Sequence, residues 1–268
     1  MKLVTWNVNS LRARLARVLA WLERHAPDVV CLQETKCPDD LFPARELEAA
    51  GYRATFTGQK GLNGVAILTR AATTPAPVEV VTALPGTPRD PQRRFVEASL
   101  PGALGHTDGL RVLCVYVPNG QAVGSDAYFY KLDWLSRLLA HLRTTHDPSR
   151  PLVLCGDFNV APTDLDVPSP EAYRDRLFAT TPERRALGHL EAWGLADALR
   201  AATPTGPGPF TWFDYAPGAV ERDDGLRIDL IYATRPLVER LAAVTVDLEE
   251  RRGAKPSDHA PVVATFVE

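Results

Sequence analysis

The amino-acid sequence predicts an α/β protein in which two packed β-sheets carry helices on their outer faces. Apolar, strand-like runs are numerous, and several follow one another with only a turn between them. Amphipathic helical patterns separate only some of these runs, so a regular series of β-α-β units does not fit. No linker or low-complexity segment interrupts the chain, and residues 1–268 are therefore predicted to form one domain.

The N-terminal part of the chain alternates between strand and helix patterns. The run "KLVTWNVN" reads as a strand, and Ser10 directly after it is in the position of a helix N-cap. The helix that follows has one apolar face, formed by Leu11, Leu15, Val18, Leu19 and Leu22. The predicted elements are a strand at 2–9, a helix at 11–26, a strand at 28–34, a helix near 43–50, and strands at 52–58 and 65–69.

Strands dominate the rest of the chain. The runs at 93–100 and 110–119 look like an antiparallel pair, and a long helix at about 126–145 follows them with apolar residues in helical register. "PLVLCGDFNV" at 151–160 is a buried strand that ends in polar residues. Further strands are predicted at 210–215, 226–233, 242–249 and 260–267.

Three features favour a cytoplasmic location. No apolar run approaches the roughly 18 residues that a membrane span requires. The N-terminus enters a strand directly, without the charged and apolar regions of an export signal. The four cysteines form no CxxC pair and are predicted to be reduced, mostly buried thiols: Cys31, Cys37, Cys114 and Cys155.

Polar residues with oxygen or nitrogen donors stand at or beside the ends of many predicted strands. Any one of them could simply form a turn. Their repetition at strand ends, where loops of layered α/β folds form a crevice, instead favours a common site. These residues are Asn7, Glu34, Tyr116, Asn119, Asp157, Asn159, Asp229, Asp258 and His259.

The donor types in this set indicate metal-assisted phosphate chemistry. Carboxylate and amide oxygens select Mg²⁺ or Mn²⁺ rather than zinc. His259 is the only one of six histidines that stands beside a carboxylate in a strand-end loop, where it can stay protonated and hold a phosphate oxygen. The other five are predicted to be solvated, namely His25, His106, His141, His146 and His189.

Six motifs in order resemble those of the exonuclease III family of DNA-repair nucleases. The motifs are "WNVNSLRAR", "CLQETK", "YVPNG", "GDFNVAP", "GLRIDLI" and "SDHAPV", and the resemblance spans residues 2–263. It implies a four-layered α/β sandwich of the endonuclease/exonuclease/phosphatase superfamily. It also implies a Mg²⁺- or Mn²⁺-dependent phosphodiester hydrolase of base excision repair, acting as a monomer on double-stranded DNA with abasic sites or blocked 3′ ends. The implied activities are incision 5′ to abasic sites, 3′-to-5′ exonuclease action, and 3′-end cleaning as a 3′-phosphatase and phosphodiesterase.

The resemblance also implies roles for individual residues. Glu34 is the main metal ligand, Asn7 lies beside it at the metal site and orients Asp157, and Asp258 approaches the ion or its waters. If a second ion binds, Asp157 and Asn159 are its ligands. For catalysis, the implied roles are activation of water by Asp157 with Asn159, phosphate and leaving-group contact by Tyr116 and Asn119, and phosphate binding by His259 braced by Asp229.

Residues for DNA contact are expected in loops around the site. Arg89, Arg93 and Arg94 form a short basic run, and Lys60 and Asn63 lie in the turn "QKGLNG". Such arginines and lysines suit phosphate positioning, although a merely solvated face has the same composition. The resemblance further implies that Trp212 lines a pocket for a baseless deoxyribose; packing in the core is the alternative.

Two features leave alternatives open. The formal net charge of −3 gives no global basic field, so a local basic rim has to serve DNA binding. Asn9 stands where human-type relatives have an aspartate, which leaves the number of bound ions undecided. The alternatives to a DNA nuclease are a superfamily phosphatase or lipid phosphodiesterase, and a non-catalytic nucleic-acid-binding module.

Overall fold

A computed structural model of the protein describes residues 1–86, 90–105 and 109–267. The first elements in chain order are β1 (Lys2–Asn7), α1 (Leu11–His25), β2 (Val29–Gln33), α2 (Ala44–Ala49), β3 (Tyr52–Thr57), β4 (Val65–Arg70), β5 (Val78–Val81) and β6 (Phe95–Leu100). They are followed by β7 (Leu110–Tyr116), α3 (Asp126–Thr145), β8 (Leu152–Asp157), α4 (Pro170–Tyr173), α5 (Thr181–Trp193), β9 (Leu195–Asp197) and α6 (Ala198–Ala202). The last are β10 (Trp212–Phe213), β11 (Gly225–Leu226), β12 (Asp229–Thr234), α7 (Arg235–Val238), β13 (Leu241–Val246) and β14 (Val262–Phe266).

The strands form two six-stranded mixed sheets and a short two-stranded ribbon. The first sheet has the order β13-β14-β1-β2-β4-β3, and the second has the order β5-β6-β7-β8-β12-β9. Each sheet contains one parallel pair, β1 with β2 and β7 with β8, while its other pairs are antiparallel. The antiparallel pairing of β6 with β7 confirms the prediction for the runs at 93–100 and 110–119.

Apolar side chains are packed in three layers between and outside the sheets. Small and β-branched residues of both sheets, such as Cys31, Ile67 and Val112, pack face to face between them. The apolar face of α1 covers the outer side of the first sheet. Helices α3 and α5 cover the outer side of the second sheet. The structure therefore confirms the predicted four-layered α/β sandwich.

The bounds of helix α5 were not predicted from the sequence, although the helix begins with a recognisable signal. The Thr180 side chain accepts a hydrogen bond from the N–H of Glu183, and the Glu183 side chain accepts one from the N–H of Thr180, which is a capping box. The spacing "TTPE" at 180–183 contains this signal together with a proline near the first helical position.

Ser10 occupies the N-cap position of α1, but its side chain does not cap the helix. Ser10 has a φ of 88° and a ψ of 98°, and its side chain makes no capping hydrogen bond. Its N–H instead donates to the carbonyl of Glu34 at 2.8 Å. The start of α1 is thereby tied to the end of β2.

Two expectations about individual side chains can also be compared with the structure. All four cysteines are buried and free, as predicted. The solvated positions predicted for His141 and His146 are wrong, because both rings pack beside the buried carboxylate of Glu97. His106 lies outside the described residues.

In the part of the chain that the structure describes, none of the helices has the length and apolarity needed to span a bilayer.

Candidate active site

The pairing of the strands brings the predicted polar residues to one edge of the sandwich. Asn7 at the end of β1 is in register with the end of β2, where Glu34 follows directly. Tyr116 at the end of β7 pairs with Asp157 at the end of β8. Asp229 at the start of the antiparallel β12 also pairs with Asp157. Because the carboxyl ends of parallel strands share an edge, residues far apart in sequence meet there.

Asn7 links the two sheets at this edge. Its side-chain amide donates to Glu34 Oε1 at 2.8 Å and to Asp157 Oδ2 at 2.9 Å. Its side-chain oxygen accepts the N–H of Asn9 at 3.0 Å. Asn7 thus holds two carboxylates that would otherwise repel each other, which agrees with the orienting role implied by the resemblance.

Several site residues have strained backbone conformations. Glu34, Lys36 and Asn159 have φ values of 52°, 52° and 49°, and Asn9 has a φ of 41°. Residues other than glycine rarely adopt this left-handed region, and such strain concentrates at functional sites. The short loops that follow β1, β2 and β8 therefore aim their side chains at a small energetic cost.

Glu34 is ionised in this arrangement. Burial alone would raise the pKa of Glu34, but the hydrogen bond from Asn7 and the ammonium of Lys36 lower it below its ordinary value. Lys36 Nζ lies 2.6 Å from Glu34 Oε2 and donates to Asn9 Oδ1 at 2.6 Å. Lys36 and Asn9 therefore form the side of the site next to Glu34.

His259 and Asp229 form a buried pair. His259 Nδ1 lies 2.8 Å from Asp229 Oδ2, and the Thr211 hydroxyl donates to the same oxygen at 2.6 Å. Burial would lower the pKa of His259, but Asp229, followed by Asp157, raises it to about 10. The imidazole is therefore a cation at neutral pH, and its Nε2 lies 3.8 Å from Asp157 Oδ2.

Asp157 is almost completely enclosed. Its Oδ1 accepts the N–H of Asn159 at 2.9 Å, and its Oδ2 accepts from Asn7. Burial, together with the negative charge of Asp229, raises the pKa of Asp157 above its ordinary value, although His259 and Asn7 oppose this. A carboxylate with a raised pKa is a better proton acceptor than an ordinary aspartate.

Tyr116, Asn119 and Asn159 lie at the same edge of the sandwich. Burial and the charges of Glu34 and Asp157 raise the pKa of Tyr116 well above its usual range, so its hydroxyl stays protonated. Asn119 Nδ2 donates to Asn159 Oδ1 at 3.3 Å, and Asn159 Nδ2 donates to the carbonyl of Val117 at 3.0 Å.

Asp258 lies beside these residues and is held by Asn9 and Trp212. Its Oδ1 accepts from Asn9 at 3.0 Å, and its Oδ2 accepts from the indole of Trp212 at 3.1 Å. Both oxygens are therefore engaged by neutral donors. Contact of Asp258 with an ion or its waters stays a prediction.

The donor set fits a divalent ion. Ligand-type atoms of Glu34, Asp157 and His259 lie within 4.8 Å of one another. His259 is a cation and supplies positive charge rather than a lone pair, whereas the two carboxylates offer hard oxygen donors that suit Mg²⁺ or Mn²⁺. The group can therefore hold a metal ion.

The residues expected to contact DNA have different surroundings. The guanidinium of Arg94 lies 4.5 Å from the ring centre of Tyr116 and donates to Gln92 at 2.7 Å, so Arg94 belongs to the wall of the site. Arg93 is half-buried, and Lys60 is exposed. Arg89 lies outside the described residues.

Asn63 is enclosed rather than exposed. Its side chain donates to Gln59 at 3.1 Å and to Gln92 at 3.2 Å, and the residue is only 6% exposed. Its backbone carbonyl accepts the N–H of Lys36 at 2.9 Å. This geometry favours a role in holding the turn at 59–64 against the site over the direct DNA contact expected from the sequence.

Trp212 lies between the catalytic edge and an open cavity. Its backbone forms a bridge with His259, and its ring lines a cavity of about 440 Å³ together with Tyr173, Phe178 and Leu226. The ring also packs against a small apolar cluster. One part of the ring therefore faces the cavity, and another part is packed in the core.

Three positioning residues were missed in the sequence. Thr211 holds Asp229, as described above. The Ser257 hydroxyl donates to the carbonyl of Asn7 at 2.7 Å and accepts the N–H of His259 at 3.2 Å. Lys131 is fully buried and donates to the carbonyl of Asn159 at 2.5 Å while pairing with Glu183. A lysine on the apolar face of the helix at 126–145 is the one signal that the sequence offered.

Comparison with known proteins agrees with this architecture. The sequence pattern of the endonuclease/exonuclease/phosphatase family matches residues 4–259. The chain belongs to this family. Within the endonuclease/exonuclease/phosphatase family, it is 37% identical over 273 residues to exodeoxyribonuclease III of Haemophilus influenzae, covering 99% of this chain and 100% of that one.

Two solved structures of the family are similar over their full lengths. The 3′ phosphatase NExo from Neisseria, bound to a product DNA hairpin, is 41% identical and superposes with a TM-score of 0.91, with 100% of both chains covered. An AP endonuclease from Archaeoglobus fulgidus is 39% identical, with a TM-score of 0.93 and the same coverage. The family assignment expected from the six motifs is thereby confirmed.

Proposed function

We propose that this protein is a metal-dependent phosphodiesterase that repairs double-stranded DNA. Its activities are incision 5′ to abasic sites, removal of nucleotides from 3′ ends and removal of 3′ phosphates. The observation that carries the proposal is the joint position of Glu34, Asp157 and the Asp229–His259 pair at one sheet edge. The names of the related proteins, an exodeoxyribonuclease, a 3′ phosphatase with bound DNA and an AP endonuclease, support DNA as the substrate.

The proposed main metal ligand is Glu34, with Asn7 beside it at the metal site and holding both Glu34 and Asp157 in place. A bound Mg²⁺ or Mn²⁺ ion supplies positive charge for the phosphoryl oxygens and the leaving oxygen. Asp258 is proposed to approach the ion or its waters, and a second ion would be held by Asp157 and Asn159. The cytoplasmic location and the monomeric state expected from the sequence stay predictions.

Residues of the chain itself activate the attacking water and bind the phosphate. Asp157 accepts a proton from the attacking water, because burial raises its pKa. Asn159, held by the carbonyl of Val117 and by Asn119, orients that water. His259 donates from Nε2 to a phosphate oxygen, since its Nδ1 is engaged by Asp229.

Tyr116 assists the departure of the leaving oxygen. Its hydroxyl stays protonated and lies beside the two carboxylates, so it can donate a hydrogen bond to the departing oxygen. The stacked Arg94 keeps the phenol ring in place and adds positive charge at the rim.

The direct test uses one duplex oligonucleotide with a single abasic site. Incision should occur with Mg²⁺ and stop with EDTA, and the wild type should also shorten an undamaged recessed 3′ end and release phosphate from a 3′-phosphorylated end. Phosphatidylinositol phosphates and soluble phosphomonoesters are the comparison substrates. Activity on these comparison substrates without activity on any of the three duplexes would contradict the proposal.

Trp212→Ala should lower incision at an abasic site more than release of a terminal 3′ phosphate. Only the first reaction requires a cavity for an extruded sugar, and the lost apolar contact, about 1.5–3 kcal/mol, corresponds to an effect on the order of 10- to 100-fold. The measurement is kcat/KM for both substrates, with Trp193→Ala on α5 as the control for loss of a half-buried tryptophan elsewhere. Equal losses on both substrates would instead indicate a packing role.

Arg93→Ala should weaken binding to any duplex and reduce the salt dependence of binding. Its guanidinium has no hydrogen-bond or ion-pair partner among the described residues, so it is available for a phosphate. Loss of one phosphate contact should lower the slope of log K against log salt by about 0.9. Arg235→Ala removes an equal charge at the far end of β12, where the side chain is 86% exposed, and should leave the slope unchanged. An unaltered slope for Arg93→Ala would place this residue away from DNA.

A further inference from the structure

A second cluster of metal-ligand side chains lies on the outer face of the second sheet. Glu97 projects from the middle of β6, His141 lies in the last turns of α3, and His146 follows the end of that helix. The three ligand atoms lie within 4.8 Å of one another. None of the three belongs to the site described above, whose residues stand at the strand ends.

The two histidines face the same carboxylate. His141 Nε2 lies 2.7 Å from Glu97 Oε2, and His146 Nε2 lies 3.3 Å from Glu97 Oε1. Their rings meet edge to face, with centres 5.1 Å apart. His141 Nδ1 is 3.3 Å from the hydroxyl of Thr145, an outer contact that fixes the ring with Nε2 turned inward.

His146 Nε2 is the unusual atom of the cluster. The side chain is only 7% exposed, and its Nε2 makes no well-aligned hydrogen bond to any residue in the described ranges, although Glu97 Oε1 lies 3.3 Å away. A buried polar nitrogen whose nearest partner is poorly aligned has lost water and gained little in return. A metal ion held by the cluster would give this nitrogen a partner.

Arg111 also faces the carboxylate of Glu97. Its Nη1 lies 3.3 Å from Glu97 Oε1, while its Nη2 lies 2.6 Å from Glu79 Oε2. The guanidinium is therefore shared between the two carboxylates, and its shorter contact is with Glu79.

The cluster opens on one side to a cavity of about 490 Å³. His146 lines this cavity, whose other walls include Ser99, Asp147 and Pro151. Three protein ligands leave at least one position of a tetrahedral ion open, and that position can be filled by water or a small anion from the cavity.

We propose that Glu97, His141 and His146 form a second metal site, specific for a borderline divalent ion such as Zn²⁺ rather than Mg²⁺. Two imidazoles and one carboxylate are a donor set typical of zinc, whereas Mg²⁺ requires oxygen ligands. The ion would join the end of α3 to β6, far from the catalytic edge. The proposal does not depend on the proposed nuclease function.

The test uses untagged, metal-free protein in the presence of excess Mg²⁺, which occupies oxygen-donor sites. Addition of Zn²⁺ should raise the melting temperature with one-to-one stoichiometry, because a ligand that binds only the folded state stabilises it. Addition of Co²⁺ should give the visible absorption bands of a four- or five-coordinate ion with nitrogen ligands. His146→Gln should abolish both responses, and His189→Gln, an exposed histidine on α5, should retain them.

Other outcomes would overturn the proposal. These are the absence of a Zn²⁺-dependent shift in the wild type, a Co²⁺ spectrum of octahedral oxygen coordination, or an equal response in His146→Gln and the wild type. Glu97→Gln provides a second variant that keeps the shape of the side chain but removes its charge. Its failure to weaken Zn²⁺ binding would likewise contradict the assignment of Glu97 as a ligand. If one of the two variants folds poorly, the other still shows whether the Zn²⁺ response of the wild type comes from this cluster.

Discussion

His259→Asn is expected to lower kcat for phosphodiester cleavage on the order of 10²–10³-fold, the scale for loss of a charge-stabilising donor. The imidazole is buried, is held by Asp229 at 2.8 Å and is a cation at neutral pH because its pKa is raised to about 10. Asparagine keeps a donor but removes the charge. The measurement is the single-turnover rate on an abasic duplex, with circular dichroism to confirm that the variant is folded.

Asp229→Asn should have a smaller effect that depends on pH. Removal of the Asp229 charge lowers the pKa of His259 from about 10 toward its ordinary value, so the imidazolium is lost as pH rises. In the wild type, His259 stays protonated up to pH 9. The ratio of wild-type to Asp229→Asn rates should therefore grow between pH 6 and 9.

The double variant decides whether Asp229 acts through His259. If it does, Asp229→Asn combined with His259→Asn should be little slower than His259→Asn alone, because residues that act as a unit are not additive. Multiplicative losses would show an independent role for Asp229 and would contradict the bracing role. Asp197→Asn is the matched control, since Asp197 is also a buried carboxylate but pairs with Arg227 instead.

Glu34→Ala is expected to raise the Mg²⁺ concentration required for half-maximal cleavage by about 10²-fold or more, since even loss of an outer partner of a ligand costs 10–100-fold in affinity. Glu34 supplies a carboxylate to the candidate site, and its ionised state is supported by Asn7 and Lys36. The measurement is the cleavage rate as a function of Mg²⁺ concentration at saturating DNA.

Two controls separate ligand loss from other effects of Glu34→Ala. Glu34→Gln keeps the size of the side chain and should share most of the defect if charge at the ion matters. Glu48→Ala removes an exposed carboxylate on α2 and should leave the Mg²⁺ requirement unchanged. Normal cleavage by Glu34→Ala at low Mg²⁺ would contradict the ligand role, and a lower maximal rate with an unchanged Mg²⁺ requirement would indicate a structural role.

The sequence by itself determined the strands that carry the site, the family and most candidate site residues. Strand patterns depend on local alternation of apolar and polar side chains, which is visible along the chain. Asn7, Glu34, Asp157, Asp229 and His259 could be selected because each stands at or beside the end of such a pattern, in motifs that occur in a fixed order.

The tertiary structure alone decided which atoms meet. That the Asn7 amide joins Glu34 to Asp157 across two sheets depends on the packing of those sheets. Thr211 and Ser257 are ordinary residues in the sequence, and they become positioning residues only when distant strands bring Asp229 and His259 to them.

The group formed by Glu97, His141 and His146 illustrates the same limit. In the sequence, the two histidines stand near the end of an amphipathic helix, where solvated positions are the expectation, and nothing local connects them with a carboxylate on β6. The packing of α3 on the second sheet encloses both rings beside Glu97. Burial and partners of a polar side chain depend on contacts between residues far apart in the chain, which local sequence patterns do not encode.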